Sequence, residues 1–223
     1  MPTPTIVFDL DGTLVDTAPD LIATLNVVFA REGFAAVAAD AARKMIGGGA
    51  RHMIEQGLLR QGRSAAPVDL ERMFADFIAY YAAHIADHSR PFPGLEEALD
   101  RLAAEGAQFA VCTNKLERLS VLLLDRLGLT ARFAAICGQD TFGIQKPDPD
   151  MLRRTIARAG GRLYRAVMVG DSAPDVAVAR AAGVPAIAVD FGYSDVAVER
   201  LKPDRVISHF DALPAAVTAV TNR

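Results

Sequence analysis

The chain has 223 residues, long enough for one large domain or for a core carrying one insertion. Hydrophobic residues make up 51%, charged residues 23%, and the formal net charge is −3, so a core is well supplied and no electrostatic case exists for a nucleic-acid partner. Two cysteines without CxxC or paired-histidine spacing argue against zinc. The first residues are too short and polar for a signal peptide, and no apolar run approaches about 18 residues, so a soluble, cytoplasmic protein with no membrane partner is expected.

The first element is Ile6-Val7-Phe8, an apolar run with no polar break, which reads as a strand buried on both faces. It ends in Asp9-Leu10-Asp11-Gly12-Thr13. Side chains at i and i+2 of an extended chain point the same way, so Asp9 and Asp11 converge at the carboxyl end of the strand, where open α/β sheets bind ligands. Two carboxylates so close raise each other's pKa unless a cation lies between them, and Mg²⁺, a hard ion with oxygen ligands, is the usual one. Gly12 lets the backbone turn and approach a ligand. The plainer alternative is a turn whose aspartates satisfy backbone amides, but the full word Asp-Leu-Asp-Gly-Thr-Leu-Val-Asp is more specific than that.

Residues 18–32 carry Leu21, Leu25, Val28 and Phe29 at helical spacing, and Gly33 stops the pattern. Helix-favouring segments follow over 38–45, 50–61 and 70–88, with no convincing strand. From Ser89-Arg90-Pro91 onward, strands (108–113, 134–137, 166–170, 185–189) alternate with helices (116–127, 149–160, 173–182), and a tail holds a strand at 205–207 and a helix at 210–220. That alternation predicts βαβ units in a parallel sheet, in which Cys112 and Cys137 are reduced core thiols. The helical stretch of about 70 residues is far too long for a loop. The expected fold is therefore α/β: a doubly wound, Rossmann-like parallel sheet core (1–15 and 90–223) with an inserted all-helical cap domain (16–89). Leaving the chain just after the first strand, the insertion is expected above the carboxylates as a lid.

Three later segments carry chemistry. Thr113 and Asn114 end the second core strand ahead of a helix, an arrangement that suits a phosphate or, equally, an ordinary helix cap. Lys146 stands in Gln145-Lys146-Pro147-Asp148-Pro149, a loop that its prolines stiffen, in a chain with only four lysines (Lys44, Lys115, Lys146, Lys202). Gly170-Asp171-Ser172-Ala173-Pro174-Asp175 again ends an apolar strand in an acid, with another at the start of a helix. Asp171 would complete an oxygen cage with Asp9 while Asp175 supports it, the alternative being a helix cap.

These words stand in the order of the haloacid dehalogenase-like phosphohydrolases, which the sequence resembles: Asp9-x-Asp11-Gly-Thr is similar to that family's first motif, Thr113 to its second, Lys146 to its third and Gly170-Asp171-x-x-x-Asp175 to its fourth. The resemblance implies that Asp9 attacks phosphorus, that Asp11 is general acid and then base, that Thr113 and Lys146 hold the phosphoryl group, and that Asp9, Asp11 (through its carbonyl), Asp171 and Asp175 form the Mg²⁺ site. Asp11 argues against the dehalogenases and phosphonoacetaldehyde hydrolases, which lack that acid. Asp16-Thr17-Ala18-Pro19-Asp20-Leu21, Ile46 to Arg51, and Val189 to Tyr193 with Lys202-Pro203-Asp204 later resemble stretches of phosphoglycolate phosphatases, which implies 2-phosphoglycolate as the small phosphorylated substrate. Sugar phosphates, nucleotides and a phosphomutase of the same fold are the alternatives. Gly12, Thr13 and Asn114 at the sheet edge, and Gly48, Gly49 and Arg51 in the cap, are the substrate-binding candidates, with Lys44 or Arg51 as the charge opposite a carboxylate or else a solvated arginine on a flexible turn. His84 and His88 share i, i+4 spacing without a carboxylate pattern. Oligomeric state is not legible.

Overall fold

The structure is a computed structural model that describes residues 4–221. In chain order, β1 (Thr5–Phe8) and β2 (Val15–Asp16) lead into the helices α1 (Ala18–Arg31), α2 (Ala39–Arg43), α3 (Gly49–Arg60) and α4 (Pro67–Ala83). After β3 (Arg90–Pro91) come α5 (Leu95–Ala104), β4 (Gln108–Cys112), α6 (Glu117–Arg126), β5 (Phe133–Cys137), α7 (Pro149–Arg158), β6 (Ala166–Gly170), α8 (Ala173–Ala182), β7 (Ala186–Val189), β8 (Arg205–Ile207) and α9 (Leu213–Thr221).

Six strands form one sheet in the order β5-β4-β1-β6-β7-β8, every pairing parallel. Burial of β1 on both faces follows from its place: Ile6 and Phe8 join one apolar cluster, and Val7 joins another with Met151, Leu152 and Val178 of α7 and α8. Cys112 and Cys137 are register neighbours in β4 and β5, both buried and free. After β1 the chain builds β4 and β5 on one side, then crosses to lay β6 on the other. The sheet therefore changes direction at β1, and a crevice opens at the carboxyl ends of β1, β4 and β6. Asp9, Thr113 and Asp171 lie just beyond those three ends.

The helices α1 to α4 bury Leu25, Phe29, Met53, Ile54, Phe77 and Tyr81 in the same apolar cluster as Ile6 and Phe8. Their entry and exit are fastened together. β2 and β3 pair antiparallel, Val15 opposite Pro91 and Asp16 opposite Arg90, a two-residue ribbon too short to leave a periodic signal in sequence. Beside it, Asp20 of α1, only 3% exposed, accepts hydrogen bonds from the Ser89 amide (2.8 Å), the Ser89 hydroxyl (2.7 Å) and the His88 amide (3.1 Å). α4 stops at Ala83 and not near 88: His84 leaves the helical conformation with φ −122°, and further on the amides of His88 and Ser89 face Asp20 instead of a helical turn. At its other end α4 starts earlier than the apolar spacing predicts, because Pro67 presets the first helical φ. The tail helix starts at Leu213, after a 3₁₀ turn over Phe210–Ala212, and α2 has only five residues. Among the described residues, no helix is long and apolar enough to cross a membrane.

Removing the Asp20 carboxylate leaves the amides of His88 and Ser89 without their acceptor. Asp20→Ala is expected to destabilise the chain by about 2–3 kcal/mol, read as a lower urea midpoint in equilibrium unfolding.

Candidate active site

The crevice holds an excess of buried negative charge. Asp9 follows β1, its amide donating to the Val169 carbonyl at 2.9 Å. Asp171 follows β6, and Asp175 lies in the first turn of α8. Asp9, Asp171 and Asp175 are 4%, 2% and 1% exposed, and each offers a carboxylate oxygen within 4.8 Å of the others. One cation enters this group. Lys146 Nζ lies 2.6 Å from Asp175 Oδ1 and 2.8 Å from Asp9 Oδ1. Its approach to Asp9 is off the line of a hydrogen bond, so that buried oxygen has an ionic neighbour but no aligned donor. Burial works against the ammonium, yet Asp175 and Asp9 outweigh it and hold Lys146 above its usual range.

The carboxylates feel the imbalance. Burial pushes Asp171 up to about 8, with Asp175 and Asp9 adding to the rise and the Tyr193 amide and Thr13 hydroxyl opposing it. Burial raises Asp9 to about 6 despite Lys146. A set of buried oxygen donors, one lacking an aligned partner and two reluctant to ionise, fits a hard divalent cation.

Each acid is held by its surroundings. The Thr13 hydroxyl donates to Asp171 Oδ1 and the Tyr193 amide to Asp171 Oδ2, both at 2.8 Å. A Cβ at Gly12, which has φ +85°, would meet Asp171 Oδ2 at 2.6 Å, so this glycine makes room for the Asp171 carboxylate. Asp175 Oδ2 accepts from both the amide and the hydroxyl of Ser172, closing a capping box on α8. The Tyr193 hydroxyl donates to Asp16 in the ribbon (2.5 Å) and accepts from the Ala18 amide (3.0 Å), joining the Asp171 loop to the start of α1.

Asp11 stands apart from the trio. Its Oδ1 accepts from the Thr17 hydroxyl at 2.8 Å, and Lys115 Nζ contacts both its oxygens at 2.8 and 2.9 Å. Asp9, Asp11, Thr113, Asn114 and Lys115 border a cavity of about 40 Å³, closed from the other side by Gly47, Gly49 and the rings of Phe74, Phe77 and Tyr81. Thr113 Oγ1 accepts from the Lys115 amide (3.2 Å), which leaves its own proton available to donate. The Asn114 side chain bridges the two sides: it donates to the carbonyls of Gly47 and Lys146 and accepts from the Lys146 amide at 2.9 Å.

Asp9, Asp11, Thr113, Asn114, Lys146, Asp171 and Asp175 are thus brought together at the crevice, and Gly49 faces it from the helices. The remaining candidates are placed elsewhere. Thr13 and Gly12 are spent on Asp171 and do not border the cavity. Gly48 faces His52, whose ring fills the space a Cβ would need. Arg51 ion-pairs with Glu71 at 2.9 Å and stacks over Phe74 at 4.8 Å, while Lys44 is exposed. Gly48 and Arg51 thus do not border the cavity in this structure: on the helix surface Arg51 has an acid and a ring as partners. His84 pairs with Asp87 and stacks on Tyr80, not with His88. Sequence reasoning missed Lys115 and Tyr193. The first was visible only as one of four lysines, immediately after Thr113-Asn114 at a strand end.

Residues 6–189 match the family model described as "Haloacid dehalogenase-like hydrolase". The chain is 50% identical over 213 residues to a phosphoglycolate phosphatase of Mesorhizobium japonicum, covering 96% of this chain and 94% of that protein. It is 46% identical to one of Agrobacterium fabrum, covering 96% and 92%. A crystal structure described as a predicted phosphoglycolate phosphatase from Haemophilus somnus 129PT superimposes with a TM-score of 0.90 at 25% identity, covering 96% of this chain and 97% of that one.

Asp171 and Asp9 bind protons more tightly in the folded chain than in the unfolded one, whose carboxylates titrate near 3.8. The stability contributed by their protonated forms is full below that value and lost as pH rises through about 6 and about 8. The metal-free protein should accordingly melt at a falling temperature between pH 5 and 8, and Asp171→Asn should flatten that slope. A divalent cation should raise the melting temperature most at the alkaline end, as calorimetry with and without chelator would show.

Proposed function

Because the chain belongs to the haloacid dehalogenase-like hydrolase family, we propose that it is a phosphomonoester hydrolase whose nucleophile is Asp9 and whose substrate is 2-phosphoglycolate. The observation that carries this reading is the buried group of Asp9, Asp171 and Asp175 around Lys146, opening on a cavity that also holds Asp11 and Thr113. The relatives named phosphoglycolate phosphatase support the substrate.

In the proposed reaction an Asp9 oxygen forms a bond to phosphorus while the bond from phosphorus to the glycolate oxygen breaks. Protonated Asp11 gives its proton to that oxygen, and glycolate departs. Water then attacks phosphorus, Asp11 takes a proton from it, and the bond between phosphorus and Asp9 breaks to release inorganic phosphate. The Thr113 hydroxyl and Lys146 ammonium bind phosphoryl oxygens and hold the group in line with Asp9. Asp9 and Asp171, with Asp175 beside them, would hold Mg²⁺, which when bound offsets the repulsion between an anionic nucleophile and an anionic phosphate.

The helical segment 16–89 acts as the cap on a core made of 1–15 and 90–223. The β2–β3 ribbon is its hinge, and the contacts of Asn114 with Gly47 and of Lys115 with Tyr81 belong to the closed form. Closing keeps bulk water away from the phosphorylated Asp9 until the leaving group has gone.

Phosphate release from phosphoglycolate, sugar phosphates and nucleotides, with and without Mg²⁺, tests the proposal. Phosphoglycolate should be the best substrate, activity should need Mg²⁺, and Asp9→Asn should lose roughly 10³-fold or more in kcat. Purified, Mg²⁺-loaded protein that hydrolyses no phosphomonoester would overturn the reaction; a preference for sugar phosphates would overturn the substrate alone.

A further inference from the structure

A substrate carrying both a phosphate and a carboxylate needs two cationic grips. Lys146 is committed to Asp9 and Asp175, where the phosphate would bind. Arg51 is turned away onto Glu71 and Phe74. Among the residues that border the cavity, the cation is Lys115. Its side chain is 5% exposed, both Asp11 oxygens lie within 2.9 Å of Nζ, and the ring of Tyr81 from α4 faces the ammonium at 4.6 Å. A buried lysine normally has a fixed acid of its own. The acid here is the residue that the proposed reaction assigns to the leaving oxygen.

We propose that Lys115 is the specificity-determining residue: it binds the substrate carboxylate, and in doing so gives up Asp11. This rests on the phosphoglycolate reading above. In that substrate a single methylene separates the bridging oxygen from the carboxylate carbon, so a cation that touches Asp11 is within reach of the carboxylate. While Lys115 grips both Asp11 oxygens, the acid is not free to face the leaving oxygen. An arriving carboxylate competes for the same ammonium donors and forms the same kind of charge-assisted bond, and Asp11, released from Lys115, takes up a proton from solvent and turns toward the substrate. Recognition of a part of the substrate that does not react is thereby spent on assembling the catalytic group. Tyr81 ties the exchange to the helices, because the ring that flanks the ammonium arrives with α4.

The test compares phosphoglycolate with ethyl phosphate, which has a methyl group in place of the carboxylate, in the full chain with Mg²⁺. The wild type should prefer phosphoglycolate in kcat/KM by roughly 10³-fold. In Lys115→Met and Lys115→Gln that ratio should fall below about 10-fold, with KM for phosphoglycolate raised. Because the ratio compares two substrates on one preparation, partial misfolding does not alter it. A wild type that prefers phosphoglycolate and variants that keep the preference, both rates falling together, would overturn the role of Lys115 and leave the substrate reading standing. A wild type without the preference would overturn the substrate reading and the role of Lys115 with it.

Discussion

Three carboxylates and one ammonium buried within a few ångströms of each other set the terms for the rest of this structure. Like charges in a medium of low polarizability repel strongly, and the group carries more acid than base. The surrounding chain answers with fixed partners: the Thr13 hydroxyl and Tyr193 amide on Asp171, the Ser172 capping box on Asp175, and Lys146 between Asp175 and Asp9. What is left unmet is an aligned donor for Asp9 Oδ1 and the excess charge itself, which is why Asp9 and Asp171 hold protons so far above the usual carboxylate range. The same deficit that costs stability gives the crevice a set of oxygen donors that fits a hard cation.

The second organising feature is the fastening between this crevice and the inserted helices. The ribbon of β2 and β3, the Asp20 acceptor and the Tyr193 hydroxyl all act within a few residues of the junctions at Asp16 and Ser89. Tyr193 is the most economical of them, since its amide steadies Asp171 while its phenol binds Asp16 and Ala18. At the far side of the cavity the contacts are lighter: one Asn114 amide on the Gly47 carbonyl and one ammonium over the Tyr81 ring. The segment is thus fastened more firmly at its base than at its rim, and the lid proposed above rests on that difference.

The residues at the sheet edge were readable because their environment is local. Asp9, Asp11, Thr113 and Asp171 each follow an apolar strand within three residues, so strand polarity alone sends them to one edge. The helical insertion was readable from its length and from the spacing of Leu21, Leu25 and Phe29. Its fine boundaries were not, because the stretch after α4 is held by Asp20, more than sixty residues earlier in the chain. The three-glycine stretch ahead of α3 suggested a cradle with Arg51, but Glu71 and Phe74, brought over by α4, claim the guanidinium first.

Sequence by itself determined which strands are buried, that a helical segment interrupts the sheet, and which acids lie at the carboxyl edge, since periodicity and polarity along the chain carry that information. Tertiary structure alone decided the pairings: Lys146 with Asp9 and Asp175, Lys115 with Asp11, Tyr193 with Asp16, and Arg51 with a surface acid instead of the cavity. A long, flexible cation takes the acid that packing brings within reach, and that choice is made between elements far apart in the chain. No local pattern records it.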